Sequence, residues 1–298
     1  MVLLTTSLAA CKKDNDNVPE KTDDHQVALT QYISTKDGKI AYRIIGQQKG
    51  TPVVMVSSLG SAMDDWDPAI TNGLALHNKV IIFDLPGVGR STGKTPDNIA
   101  DMAKSSVAFI NALGLKKVNL LGFSMGSFIS QQIILTEPSL VEKVILTGTG
   151  PKGSQGLSNL PVLLGSIAGL SPEEVFIKFG FNSSPASIAA GKRSWERVQQ
   201  RQVDRDLPLT AEASTAELTA VLNWAQPNPE ALTELSKITQ PVLIVQGEKD
   251  LPVPVINAVN MSKSIPNAKL IIYEDAGHAS FYQNPEMFVN SSNAFLNK

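Results

Sequence analysis

Cysteine is nearly absent from this chain: Cys11 is the only one in 298 residues. A lone cysteine excludes an internal disulfide framework. Histidine is almost as scarce, at three residues, and no Cys/His cluster has the spacing of a zinc site, so no metal ligand is expected. Lys and Arg number 26 against 28 Asp and Glu, a formal net charge of −2. No basic patch stands out, which argues against nucleic acid as a partner. The short apolar run Val2-Leu3-Leu4-Thr5-Thr6-Ser7 is too short to cross a bilayer as a helix, and no internal repeat is visible.

What is present is an α/β alternation. Strand-like apolar runs occupy Lys39–Ile45, Pro52–Val56, Val80–Asp84, Val118–Leu121, Val144–Thr147, Val242–Gln246 and Leu270–Tyr273. Continuous apolar strands separated by helical stretches predict a mostly parallel sheet covered on both faces. Thr35-Lys36-Asp37-Gly38-Lys39 is a hairpin signal, so the sheet is expected to open antiparallel. Thr95-Pro96-Asp97 reads as the start of a helix that runs to Leu113 and ends at Gly114. The alternation breaks between Pro151 and about Leu235. This predicts a helical cap over 151–235, inserted between the sixth and seventh strands of a core at 29–150 and 236–298. Leu160, Leu163, Leu164, Ile167, Val175, Phe176, Phe179, Phe181 and Trp195 give the cap apolar faces, some for packing and a few for a substrate pocket.

Gly122-Phe123-Ser124-Met125-Gly126 is the motif that carries chemistry. It follows the strand Val118–Leu121 and precedes a helical stretch, Ser127–Thr136. Strand, G-x-S-x-G and helix form the context of a nucleophile elbow. The turn is tight enough to require Gly122 and Gly126, and it aims the Ser124 hydroxyl away from the sheet. The helix N–H groups then lie beside the reacting centre.

A serine hydroxyl needs a base, and the base needs an orienting acid. Among the three histidines, His25 lies in a polar stretch that reads as unpacked, and His77 reads as a cation closing a helix. His278, in Asp275-Ala276-Gly277-His278 after the strand Leu270–Tyr273, is the candidate base. The acid is expected between serine and histidine in chain order. Asp250, in the loop after Val242–Gln246, is preferred. Glu248 competes, while Glu274 and Asp275 read as solvated loop charges. Each member of the trio sits just past a strand, where the catalytic groups of parallel sheets gather.

Over about residues 30–298 the chain resembles the alpha/beta-hydrolase superfamily. The resemblance rests on the G-x-S-x-G, on Asp84-Leu85-Pro86-Gly87-Val88-Gly89-Arg90-Ser91 as the loop after the fourth strand, on Gly247-Glu248-Lys249-Asp250 and on Gly277-His278. It implies an alpha/beta-hydrolase fold and a serine hydrolase working through an acyl-enzyme on Ser124, with no cofactor. Many family members carry His-Gly after the third strand, where this chain has Ser57-Ser58. Its Ser58-Leu59-Gly60 form resembles a subset that includes enol-lactone hydrolases. The backbone N–H groups of Leu59 and Met125 are the expected oxyanion donors. A small carboxylic ester is the expected substrate. A lactone, or cofactor-free perhydrolysis of the haloperoxidase-like kind, are the alternatives on the same triad.

Leu8-Ala9-Ala10-Cys11 resembles a bacterial lipobox, in which the cysteine is acylated. That implies a signal segment at 1–11, lipidation of Cys11, a tether at 12–28 and attachment to the cell envelope by the lipid alone. A cytoplasmic protein is the alternative. Two other readings compete. A nucleotide switch is suggested by Asp84-Leu85-Pro86-Gly87 and Gly93-Lys94-Thr95, but a P-loop requires glycine where Val88 stands. A non-catalytic binding lipoprotein has no need of all three triad residues. Oligomeric state is left open by the sequence.

Overall fold

The computed structural model describes residues 24–46 and 49–297. Cys11, the expected signal segment and residues 12–23 of the expected tether lie outside the described residues. The strands are β1 (Gln31–Thr35), β2 (Gly38–Ile45), β3 (Val53–Val56), β4 (Val80–Phe83), β5 (Val118–Phe123), β6 (Val141–Thr147), β7 (Val242–Gly247) and β8 (Ala268–Tyr273). They form one sheet in the order β1-β2-β4-β3-β5-β6-β7-β8. β1 and β2 form the expected antiparallel hairpin, and β2 is also antiparallel to β4. From β4 to β8 every neighbouring pair is parallel. β3, β4, β5 and β7 are buried at every position, which is why they read as unbroken apolar runs. β1 gives no such run, because it is an edge strand with most side chains outward.

The helices are α1 (Pro68–Ala75), α2 (Ile99–Ala112), α3 (Met125–Thr136), α4 (Leu160–Ile167), α5 (Pro172–Gly180), α6 (Pro185–Val198), α7 (Ala211–Trp224), α8 (Ala231–Leu235), α9 (Ile256–Ser264), α10 (Ser280–Gln283) and α11 (Pro285–Leu296). Alternate strand residues feed two cores. Val54, Val56, Phe83 and Leu120 pack with α2 and α3, while Met55, Ile82, Ile70, Leu74 and Phe288 join α1 and α11 on the other face.

Two expectations about helix starts are corrected. α2 begins at Ile99, not after Thr95. Asn98 caps it by accepting the Asp101 N–H at 2.8 Å, and the Thr95 hydroxyl is drawn inward to the Pro86 carbonyl, 2.8 Å away. α3 begins at Met125, directly after Ser124, so the turn into the helix is tighter than a start at Ser127 implies.

Helices α4 to α8 fill the chain between β6 and β7. A buried charge network joins this layer to the core. Arg43 of β2 is fully buried and bonds Asp64 at 2.5 Å and Asp206 at 2.9 Å. Arg197, at the end of α6, pairs with Asp67 at 2.6 Å. His25 is a correction as well: it is buried rather than unpacked. Its N–H donates to Asn72 Oδ1 at 2.8 Å, its Nδ1 lies 3.1 Å from the Thr71 hydroxyl, and Arg201 donates to its carbonyl at 2.9 Å. Burial, with Arg43 nearby, pulls its pKa down to about 3. Its partners come from α1 and the segment after α6, so local composition could not reveal them.

Candidate functional site

The chain reverses its direction of travel across the sheet between β3 and β5. From β3 it passes to β4 on one side, then returns past β3 to β5 on the other. In open parallel sheets, ligands bind at such a switch point, outside the carboxyl ends of the strands. The loop after β3 carries Ser57 to Gly60, and β5 ends at Phe123, next to Ser124.

Ser124 has φ of 53° and ψ of −118°, a region that non-glycine residues occupy only when their surroundings force it. Its N–H donates to the Thr147 carbonyl at 2.9 Å, which fixes the turn against β6. A side chain at Gly122 would strike the Gly126 carbonyl, and one at Gly126 would strike the carbonyls of Val56 and Ser57. Both glycines are therefore required by the close approach of α3 to β3 and β5.

His278 Nε2 lies 2.9 Å from Ser124 Oγ. His278 Nδ1 lies 2.8 Å from Asp250 Oδ2. A carboxylate accepts only, so Nδ1 carries the hydrogen and Nε2 is left as the acceptor facing the serine. Asp250 is itself held by two further contacts. The Val253 N–H donates to its Oδ1 at 2.9 Å, and Gln246 Nε2 donates to its Oδ2 at 2.7 Å. Gln246 in turn accepts the Thr149 N–H at 2.9 Å. Glu248 is exposed and meets only the Asp275 N–H, at 3.4 Å. Asp275 differs from a merely solvated charge. It takes hydrogen bonds from Ser184 Oγ at 2.6 Å and Lys249 Nζ at 2.7 Å, and these hold its carboxyl below the usual range. Through Ser184 it ties the cap to the histidine loop. His77 is exposed at the end of α1.

Among the described residues, the N–H groups of Leu59 and Met125 have no protein acceptor. Both belong to segments that flank Ser124. The Ser57 hydroxyl, where many alpha/beta-hydrolases have histidine, accepts the indole N–H of Trp66 at 3.0 Å.

A cavity of about 470 Å³ opens beside this group. Leu59, Phe123 and Ala279 form its floor, the last two being chain neighbours of Ser124 and His278. Six of the nine cap residues noted in the sequence line it: Leu164, Ile167, Val175, Phe176, Phe179 and Trp195. Phe179 sets its ring edge-on to the His278 imidazole, 5.5 Å between centroids. A larger, more polar cleft of about 850 Å³ lies at the amino ends of the strands, around Asn119 and Lys143, away from the serine.

Three site residues escape a sequence reading. Gln246 hides in an apolar strand, although a polar residue four places before Asp250 is a usable signal. Glu217 of α7 is buried and accepts the Gly60 N–H at 2.7 Å. Asp65 lines the cavity. The latter two look like ordinary helix and loop acids until the chain is folded.

Comparison with known proteins agrees with this architecture. The family model described as alpha/beta hydrolase fold matches residues 51–285. An alpha/beta hydrolase fold protein from Chitinophaga pinensis is similar in structure, with TM-score 0.89 and 38% identity, covering 92% of this chain and 99% of that one. The enol-lactonase from Burkholderia xenovorans LB400 shares the fold at TM-score 0.71 and 19% identity, covering 90% and 100%. RutD of Serratia proteamaculans (strain 568), provisionally named a carbamate hydrolase, is 27% identical over 254 residues, 83% of this chain and 92% of that protein. The match over most of the core and the architecture together place this chain in the alpha/beta-hydrolase family, among hydrolases.

Proposed function

We propose that this protein is a serine hydrolase that cleaves a small carboxylic ester through an acyl-enzyme on Ser124. The observation that carries the reading is the chain of contacts from Ser124 Oγ to His278 Nε2, at 2.9 Å, and from His278 Nδ1 to Asp250, at 2.8 Å. In this reading the Ser124 oxygen attacks the acyl carbonyl while His278 Nε2 takes its proton. Asp250 stabilises the resulting imidazolium. The oxyanion is met by the N–H groups of Leu59 and Met125, and each such donor is worth about 3–4 kcal/mol of barrier. The imidazolium then protonates the departing alkoxide. Water, deprotonated by the same nitrogen, releases the acid and restores Ser124.

A lactone is the second reading. It is favoured by the Ser58-Leu59-Gly60 loop, and ring opening uses the same steps with the leaving group retained. The carbamate and enol-lactone named for relatives also present a carbonyl to attack. The same proposal places the enzyme on the cell envelope by acylation of Cys11, supported by the Leu8-Ala9-Ala10-Cys11 sequence alone.

The test is fluorophosphonate labelling of wild type beside Ser124→Ala, followed by a panel of p-nitrophenyl esters and lactones. Labelling and turnover are expected in wild type and lost in the variant. A folded Ser124→Ala protein with undiminished turnover would sink the assignment.

A further inference from the structure

Among the described residues that line the cavity, Asp65 is the one carboxylate and there is no Lys or Arg. Its Oδ2 accepts the Ala62 N–H at 2.8 Å. That contact closes a local turn and accounts for one oxygen. The other oxygen, Oδ1, has no partner among the described residues, yet it is not one of the sealed, unpartnered atoms of the interior. It is open to the cavity.

Three polar contacts beside this oxygen are made without it. The Tyr282 hydroxyl donates to the Asp65 carbonyl at 3.0 Å, the Trp66 indole donates to Ser57, and the Ser58 and Ser61 hydroxyls bond each other at 2.9 Å. Leu164, Val175 and Phe176 of the cap add apolar side chains to the same lining. A carboxyl so placed has one protein donor and faces a mostly apolar lining, so its charge is poorly compensated. Burial pushes its pKa up to about 6, with Asp64 and Asp206 adding to the Ala62-opposed rise. A substrate that supplies a second donor compensates that charge on binding.

We infer that Asp65 selects esters carrying a hydroxyl group on the part of the molecule that fills this cavity, a reading that rests on Ser124 as the nucleophile. An ionised carboxylate only accepts, so the complementary group must donate. An ammonium brings three donors to one open oxygen in a cavity lined mostly by apolar side chains. A hydroxyl brings one. It also accepts, so it pairs with Asp65 in either protonation state. The expected substrate is an apolar chain with a single hydroxyl, gripped by the cap along its length and by Asp65 at one point.

The experiment walks a hydroxyl along the acyl chain of p-nitrophenyl esters in one series and along the alcohol of acetate esters in a second. Each member is compared with its methyl, keto and amino counterparts. In wild type, one hydroxyl position is expected to exceed its methyl counterpart in kcat/KM by about ten- to a hundredfold, the usual worth of a hydrogen bond to a charged group. Asp65→Asn keeps an oxygen for the Ala62 N–H and presents N–H donors instead, so the keto counterpart, which only accepts, is expected to rise towards the hydroxyl compound in the variant. Labelling by fluorophosphonate counts folded active sites in the variant, and the wild-type series is decisive without it.

Wild type that turns over plain esters with no hydroxyl advantage anywhere overturns the inference and leaves the serine-hydrolase reading standing. A best substrate bearing an amine, or a keto counterpart that gains nothing on the hydroxyl compound in Asp65→Asn, overturns it too. Wild type that neither labels nor cleaves any ester overturns both.

Discussion

The Glu217 carboxylate on α7 accepts the backbone N–H of Gly60 at 2.7 Å, joining the cap to the loop that follows β3. Its other oxygen is buried with no partner. Leu59, the neighbour of Gly60, carries one of the two N–H groups proposed to hold the oxyanion, so the cap holds this part of the loop through a hydrogen bond to an unusually placed acid. Glu217→Ala is expected to lower kcat about tenfold with KM far less changed, since the oxyanion forms only in the transition state. Glu217→Gln retains an acceptor and should act nearly as wild type. The same residue shapes stability against pH. Burial pushes its pKa up to about 7 from 4.5, partly opposed by the Gly60 bond. The folded protein therefore holds this proton where the unfolded chain has lost it, and stability falls as pH rises from 4.5 through 7. Glu217→Gln should gain on wild type between pH 4.5 and 8 by up to about 3 kcal/mol. Denaturant melts of the two proteins at both pH values check this, and parallel stabilities would refute it.

Asp250→Asn is expected to lower kcat by about 10⁴-fold, the size such a tautomer error has in a serine protease. The amide donates where the carboxylate accepts, which leaves Nε2 protonated and unable to take the Ser124 proton. Glu248→Gln touches an exposed residue and should change kcat little. Steady-state kinetics of the pair decides between the acids, and a greater loss in the Glu248 variant would reverse the assignment.

Arg43 is buried and answers both Asp64 and Asp206. Removing one partner of a buried network strands the others, at a typical cost of about 3–5 kcal/mol. Arg43→Ala should therefore destabilise the fold by that amount. Urea unfolding measures it, and a change below about 1 kcal/mol would show the network to be dispensable.

Cys11→Ser tests the proposed anchor. Expressed with its leading residues in a bacterium that processes lipoproteins, wild type should partition with membranes and the variant should not. Membrane association that survives the substitution would refute lipidation.

The sequence by itself determined the sheet and the convergence of Ser124, Asp250 and His278. Buried parallel strands announce themselves as unbroken apolar runs, and a polar residue just past each run must emerge on the same sheet edge. Gly122 and Gly126 were legible because a tight turn leaves no space for a Cβ. The edge strand β1 was legible only through the hairpin turn that ends it, because it buries too little to leave an apolar pattern of its own. His25, Asp65, Glu217 and Arg43 escaped for a different reason. Each is defined by partners more than three residues away on other elements or by the cavity wall it faces. Burial, orphaned oxygens and the cost of an unpaired carboxyl exist only when α7, the loop after β3 and the segment around Asp206 are brought together. Local propensity and motif spacing carry none of that information, so tertiary structure alone decided where the carboxyls press on the site.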